Sequence, residues 1–594
     1  MKIAPHRVEK SYARFILRVF LIFLVCCDVL AVSGIPAGAE DISWKILNPH
    51  RILRTAEQEN TFRREFDLYQ NCASTAGRRK RSDCGSDIYP SLRKCGVRNC
   101  NYDTWFDGAT YRYQRLHDKD REIIAKLTIP AEIDSCRWTI GNRDISGRCD
   151  GTRLPAIVGT QPLSVNYQPK DGSDRQTRNT DVKISDVFIL VLGDSFVSGE
   201  GNPHVKQAFA FNSPDNSQDD LKVRTPQWWD VRCHRSLLAG PALAAAKLAK
   251  NHTDISVTYV SFACSGAEIT EGILDQYRGR ETDTQALALF EAFDNVRTEL
   301  PAGVFSEEYI RPQIVSARDA LCLDKERVNA EASCQNRREP DILVLGVGVN
   351  DIGFSDIIMN LVKGSGKVNR DNVLKRLNKK FVRLKERYGR LSTELNSLVS
   401  KSLATGRRPI LAVEYPDPTR GDSGAFCSDV PIPRDRDFGS QFSSMLKSAE
   451  VSIDTRSRPF VPELVALLGF GIDGLENAFA YQKILGPLND IVQENAAKAE
   501  NSWRYVGGTS ELSRTHGYCS KQSWFNSYSD AAEKQYFVLP EPNPDDPPQN
   551  PDPDNPYKET IGGVPSGAMH PNVFGHLAIS EILLAEYERV LAGK

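Results

Sequence analysis

The chain has 594 residues, 40% of them hydrophobic and 26% charged, with 75 Lys and Arg against 77 Asp and Glu for a formal net charge of −2. This length exceeds one ordinary domain and predicts two or more folded units with sizeable cores. The near balance of charge, with no basic stripe carrying interleaved aromatics, argues against a nucleic-acid partner; the short cluster Arg78 to Arg81 reads as a solvated loop.

The first element is an apolar run behind a basic segment. Lys2, Arg7, Lys10, Arg14 and Arg18 precede Val19 to Val25 and Leu30 to Val32, and Ala37-Gly38-Ala39 supplies a small-x-small cleavage pattern. We read residues 1–39 as a signal peptide with a mature start near Glu40, and expect a secreted or periplasmic protein. An uncleaved membrane anchor is the competing reading. No later apolar stretch is long enough to span a bilayer.

Fourteen cysteines occur in the chain, and twelve remain once Cys26 and Cys27 leave with the leader. An even number in an exported protein implies disulfides. Near neighbours suggest Cys72/Cys84, Cys95/Cys100, Cys136/Cys149 and Cys322/Cys334, with Cys233/Cys264 and Cys427/Cys519 spanning more chain. Zinc is the alternative, but no paired Cys-x-x-Cys or adjacent His pattern is present, and no metal or other cofactor is expected.

Residues 40–181 are rich in Cys and Arg and short of long helical patterns. Leu127 to Ile129, Cys136 to Ile140 and Ile157 to Gly159 sit between Gly, Asp and Pro punctuation, as the short strands of a small disulfide-rich β module do. The polar stretch Gln168 to Thr180 reads as a linker.

From residue 182 to 594 apolar strands alternate with helices. Val187 to Leu192 is a continuous apolar run of the kind buried on both faces of a parallel sheet, and Ile255 to Val260, Ile342 to Leu345, Ile410 to Val413 and Trp503 to Val506 continue the series. Leu237 to Lys250 reads as a helix. The expected architecture is a three-layer α/β/α sandwich around a parallel sheet. Leu374, Leu377, Phe381, Leu384, Tyr388, Leu391, Leu395 and Leu398 form one stripe on a long helix, either packed along the flank of the sheet or forming a coiled-coil seam. Leu464 to Phe470 reads as a core helix or a lipid-facing lid, and Pro540 to Pro556 as an extended loop whose carboxylates stay solvated or hold calcium.

In an open parallel sheet, ligands bind beyond the carboxyl ends of the strands. Four segments stand there or close to the C-terminus: Gly193-Asp194-Ser195-Phe196, Cys264-Ser265-Gly266-Ala267, Gly348-Val349-Asn350-Asp351 and Met569-His570-Pro571-Asn572. Acyl transfer from an ester needs a nucleophilic oxygen, a base for its proton and donors aimed at the developing oxyanion. Ser195 is the candidate nucleophile and His570 the base; the N–H groups of Ser195 and Gly266 with the Asn350 amide are the candidate oxyanion hole.

These four blocks resemble those of the SGNH (GDSL-type) hydrolases, in the secreted esterase-like branch. Gly193 to Gly201 is similar to the family's first block, Asn350 to Phe354 to its third, and His570 to His576 to its last, in which the histidine before proline is catalytic. Cys233-His234-Arg235-Ser236 and Ala263 to Gly266 also resemble that branch, where the two cysteines are commonly bridged. The resemblance spans roughly residues 184–594 and implies a serine esterase or lipase. Its substrate would be a short acyl ester, a lipid or an acetylated polysaccharide. A non-catalytic envelope- or glycan-binding protein that keeps the hydrolase fold is the alternative. Phe196 replaces the usual Leu. Gly567 stands where the family usually carries the Asp of its triad. Either a backbone carbonyl orients His570, leaving a dyad, or a carboxylate such as Asp417 arrives from elsewhere; a degenerate site is the third possibility.

Overall fold

The structure is a computed structural model that describes residues 41–53, 116–129, 132–204, 232–277, 310–323, 336–353, 370–404, 409–427, 474–498, 503–526 and 567–593, with shorter pieces between them. Outside the described residues lie the amino-terminal leader, the pairs Cys72/Cys84 and Cys95/Cys100, the Arg78 to Arg81 cluster, Phe354, the segment Leu464 to Phe470 and the Pro-rich stretch at 540–556. No described helix is long and apolar enough to cross a membrane. The chain is mixed α/β and divides into two compact units, one of residues 1–45 and 121–183, the other of 46–120 and 184–594.

The described part of the first unit is built of β-strands. These are β1 (Ile42–Ile46), β2 (Asp120–Leu127), β3 (Ile133–Ile140), β4 (Arg143–Gly147), β5 (Thr152–Ile157), β6 (Gly159–Pro169) and the start of β7 (Gln176–Gly193). β3 pairs antiparallel with β4 and with β6, while β1, β2 and β5 form a second, three-stranded sheet. Alternating apolar residues make one face of each strand a core: Ile123, Ala125 and Leu127 on β2, Trp138 and Ile140 on β3, and Leu163, Val165 and Tyr167 on β6 are buried. Trp138 Nε1 donates to the Arg148 carbonyl at 3.1 Å, so the buried indole keeps a partner. The disulfide Cys136–Cys149 lies within this unit.

The polar stretch expected to be a linker is instead two strand ends joined by a short turn, since β6 runs to Pro169 and β7 starts at Gln176. Its side chains alternate between exposed and half-buried, so one solvated strand face imitates linker composition.

In the second unit the later part of β7 is fully buried from Val187 onward, and so is the polar turn beyond it. It is flanked in parallel register by β8 (Ile255–Ser261) and β9 (Ile342–Gly346), followed outward by β10 (Ile410–Val413) and β11 (Arg504–Val506). The spatial order is therefore β8-β7-β9-β10-β11. Connections leave β7 in one direction for β8 and then return to its other side for β9. Such a reversal opens a crevice at the carboxyl ends of the strands that flank it, here β7 and β9.

The described helices include α1 (Ser195–Ser198), α2 (Gly240–Asn251), α3 (Gln313–Ala320), α4 (Arg370–Leu398), α5 (Gly486–Ala497) and α6 (Val573–Ala592). α2 packs on β8 and α6, and α5 on β10 and β11. The stripe on α4 is satisfied within the chain: Leu377, Leu384, Tyr388, Leu391, Leu395 and Leu398 are buried in the same core cluster as the sheet. It is flank packing rather than an open coiled-coil seam. Ile52, Leu53, Phe66 and Leu116 join that cluster as well. Among the described residues of this unit three disulfides form, Cys233–Cys264, Cys322–Cys334 and Cys427–Cys519.

Candidate active site

Ser195 opens α1 at the carboxyl end of β7. Gly193 precedes it with φ +150°, and a Cβ there would overlap the carbonyl oxygen of Gly346 on β9, so only glycine lets the strand turn this close to its neighbour. Asp194 caps the short helix, Oδ1 accepting from the Phe196 N–H at 3.0 Å. These local constraints present the Ser195 side chain at a sharp strand-to-helix turn.

His570 comes from the other end of the chain, on the loop before α6. Its Nε2 lies 2.7 Å from Ser195 Oγ, and its Nδ1 lies 3.1 Å from the carbonyl oxygen of Ala568. A carbonyl only accepts, so Nδ1 carries the hydrogen and the unprotonated Nε2 accepts from Ser195 Oγ. The loop has two anchors. Asn526 brackets it, its carbonyl accepting from the Met569 N–H at 3.0 Å and its N–H donating to the His570 carbonyl at 2.9 Å. Asn202 Nδ2 donates to the Pro571 carbonyl at 2.9 Å, and Asn526 Nδ2 donates to the Gly201 carbonyl at 3.2 Å, which ties the His570 loop to the segment just after Ser195. Met569 sits at φ +63°, a left-handed conformation that costs a non-glycine residue roughly 1–2 kcal/mol.

The candidate oxyanion donors converge in part through direct bonds. Gly266 has φ +82°, and among the described residues neither its N–H nor that of Ser195 meets an acceptor. The Cys264 N–H donates to the Gly193 carbonyl at 3.0 Å, holding the Gly266 turn beside the end of β7. Asn350 Nδ2 donates to the Ala267 carbonyl at 3.0 Å, which joins the second and third blocks and leaves the amide a further hydrogen.

Behind the site lies a buried acidic layer. Asp194 is wholly buried and accepts from Tyr415 Oη at 2.5 Å; desolvation pushes its carboxyl up to about 7, against the pull of that hydrogen bond. Asp351 is pushed up to about 6, again chiefly by burial, although Arg387 donates to it at 2.6 Å. His576 is buried and desolvation lowers it to about 3; its Nδ1 accepts from the Gly240 N–H at 3.1 Å, so it supports the packing of α2 on α6 and does not face the serine.

Asp417 is held elsewhere. Its Oδ1 accepts from Thr419 and its Oδ2 from Arg420 Nε at 2.8 Å, so it braces its own loop and does not orient His570. Gly567, at the position of the missing Asp, accepts from the His570 N–H through its carbonyl at 3.3 Å. Two supporting residues escape the sequence reading. Tyr415 follows the apolar run of β10 by two positions and was open to the strand-end rule; Asn526 lies in an irregular loop with no local signal.

No family model matches this chain, and no curated protein matches it. Among solved structures, similarity is found to a phospholipase A1 from Streptomyces albidoflavus NA297, at 15% identity and a TM-score of 0.29, covering 67% of this chain and 98% of that one. An extracellular lipase from Streptomyces rimosus is similar at 14% identity and the same TM-score, with the same coverage.

Proposed function

We propose that the chain is an exported serine esterase of the SGNH type, cleaving carboxylic esters through an acyl-enzyme on Ser195. The observation that carries this reading is the relay from Ser195 Oγ to His570 Nε2 at 2.7 Å, with the far ring nitrogen on the Ala568 carbonyl at 3.1 Å. Ser195 attacks the ester carbonyl while His570 takes its proton; the resulting imidazolium then protonates the leaving alcohol. The N–H groups of Ser195 and Gly266 and the second Asn350 amide hydrogen stabilise the tetrahedral oxyanion. Water then enters, His570 acts again as base, and the acyl group leaves as the acid. In this reading a backbone carbonyl selects the histidine tautomer, the role that an aspartate plays in a triad.

Residues 182–594 form the hydrolase domain of this proposal, a three-layer α/β/α sandwich, and residues 40–181 a disulfide-rich accessory module. Residues 1–39 are proposed as the leader. The disulfides support an oxidising compartment. Reaction of the secreted protein with a fluorophosphonate, followed by peptide mapping, tests the core of the reading. Adduct on Ser195, abolished in Ser195→Ala, is the expected result; an unmodified Ser195 in folded protein refutes it. Chromogenic esters of graded chain length beside acetylated glycans then assign the substrate class.

A further inference from the structure

Three neighbouring strands, β7, β9 and β10, end in turns that carry Ser195, Asn350 and Tyr415 respectively. The Tyr415 hydroxyl touches both other turns. It donates to Asp194 Oδ2 at 2.5 Å, while the other oxygen of that carboxylate caps α1 through the Phe196 N–H. It also accepts from the Val349 N–H at 3.4 Å, one residue before Asn350. The tyrosine is itself fixed. Asn489 on α5 grips its backbone twice, Oδ1 accepting from the Tyr415 N–H at 2.9 Å and Nδ2 donating to the Tyr415 carbonyl at 3.0 Å. Its ring lies 5.3 Å from that of Phe196, and the side chain is buried.

Resting on the esterase reading, we propose that Tyr415 is a positioning residue whose hydroxyl locks the Ser195 turn in register with the Asn350 turn, so that nucleophile and oxyanion donor face one ester carbonyl. Packing alone would not need the hydroxyl, because a phenylalanine fills the same space against Phe196. Chemistry does need it. Asp194 is out of reach of water, and without the phenol one carboxylate oxygen would have no donor. The groups facing Asp194 are Tyr415 from the β10 turn, Asp351 from the β9 turn and Tyr388 from α4, with Arg387 and Glu268 beyond Asp351. Burial and the Asp351 charge push the Asp194 carboxyl up, and the phenol is the leading opposing influence. Removing the phenol therefore pushes it higher. A protonated carboxyl caps α1 less strongly, and the turn loosens as pH falls.

The test uses the full chain with Tyr415→Phe, Asp194→Asn and the double variant, each checked for folding. Tyr415→Phe should lower kcat about ten- to a hundredfold with KM nearly unchanged, because the locked register matters only when negative charge develops on the substrate oxygen. Affinity for a boronic acid, which occupies the tetrahedral site, should fall by a similar factor, and the acid limb of kcat should move to higher pH. In the Asp194→Asn background Tyr415→Phe should cost little more, since one bond is already gone. If Tyr415→Phe does not fold, Asp194→Asn alone gives the reading: a lower kcat at constant KM supports the proposal, and a wild-type kcat overturns it. A folded Tyr415→Phe with wild-type kcat, boronate affinity and pH profile also overturns it. Wild-type protein that a fluorophosphonate does not label at Ser195 overturns the esterase reading itself, and this inference with it.

Discussion

The two halves of the candidate site are built in different ways. The Ser195 turn is assembled locally: Gly193 makes the close approach, Asp194 caps α1, and the whole motif spans a few residues at one strand end. The His570 loop has little local structure of its own. It is held by Asn526 and Asn202, the latter 369 residues from its Pro571 partner, and passes through a left-handed methionine. A local motif announces itself in a sequence. A base placed by long-range hydrogen bonds announces only its own identity, and not what orients it.

The largest effect should come from the relay that joins the halves. Ser195→Ala and His570→Ala should each reduce kcat by about 10⁴- to 10⁶-fold and should not compound in the double variant, since they act as one unit. Asp417→Asn is the contrast. Its carboxylate is engaged by Thr419 and Arg420, so the variant should lose stability, about 1–3 kcal/mol, while the folded fraction keeps its kcat/KM. Steady-state kinetics with urea unfolding in parallel separates the two; a loss at Asp417 equal to that of His570→Ala would replace the dyad with a relocated triad.

The oxyanion side should respond less. Asn350→Ala is expected to lower kcat by about a hundred- to a thousandfold with KM little changed, because the amide acts on charge present mainly in the transition state. It should also release the Ala267 carbonyl and so loosen the Gly266 turn. An effect confined to KM would make Asn350 a substrate-binding residue.

Asp194 sharpens the comparison through pH. Its folded carboxyl sits at about 7 against an ordinary 3.8, so the folded state holds this proton more tightly than the unfolded chain does. Its contribution is complete below about pH 4 and is lost as pH rises through about 7. The Tm of wild type relative to Asp194→Asn should therefore fall between about pH 4 and 7 and level off above. A constant difference across that range would mean that Asp194 does not titrate there.

How much was legible follows the same division. The parallel strands could be read because burial on both faces makes β7, β9 and β10 continuous apolar runs, and the strand-end rule then led to Ser195, Gly266 and Asn350. The strand at Gln176 was misread because its exposed polar residues look like a linker until partners define its faces. Asp417 was a reasonable candidate orienter by type and position, yet only geometry shows its oxygens engaged by Thr419 and Arg420. Asn526 was invisible for a different reason: its backbone groups and buried amide do the holding, and no residue pattern encodes a backbone bracket.

The smallest predicted effect asks whether that bracket or the strained methionine fixes His570. Met569 pays a left-handed penalty of roughly 1–2 kcal/mol, which Met569→Gly removes, while the greater freedom of glycine in the unfolded chain returns up to ~1 kcal/mol. Stability should thus rise slightly or stay level. If the Asn526 bonds and the Asn202 tie hold the loop, kcat/KM should stay within about threefold of wild type, because the glycine's backbone makes the same hydrogen bond and φ remains favourable. Met569→Val should behave oppositely, with a β-branched side chain raising the cost of the same conformation and lowering Tm. Thermal unfolding and ester kinetics on the pair decide the matter. A drop of tenfold or more in a stable Met569→Gly would show that the rigidity of residue 569, and not the asparagine bracket, keeps the imidazole within reach of Ser195.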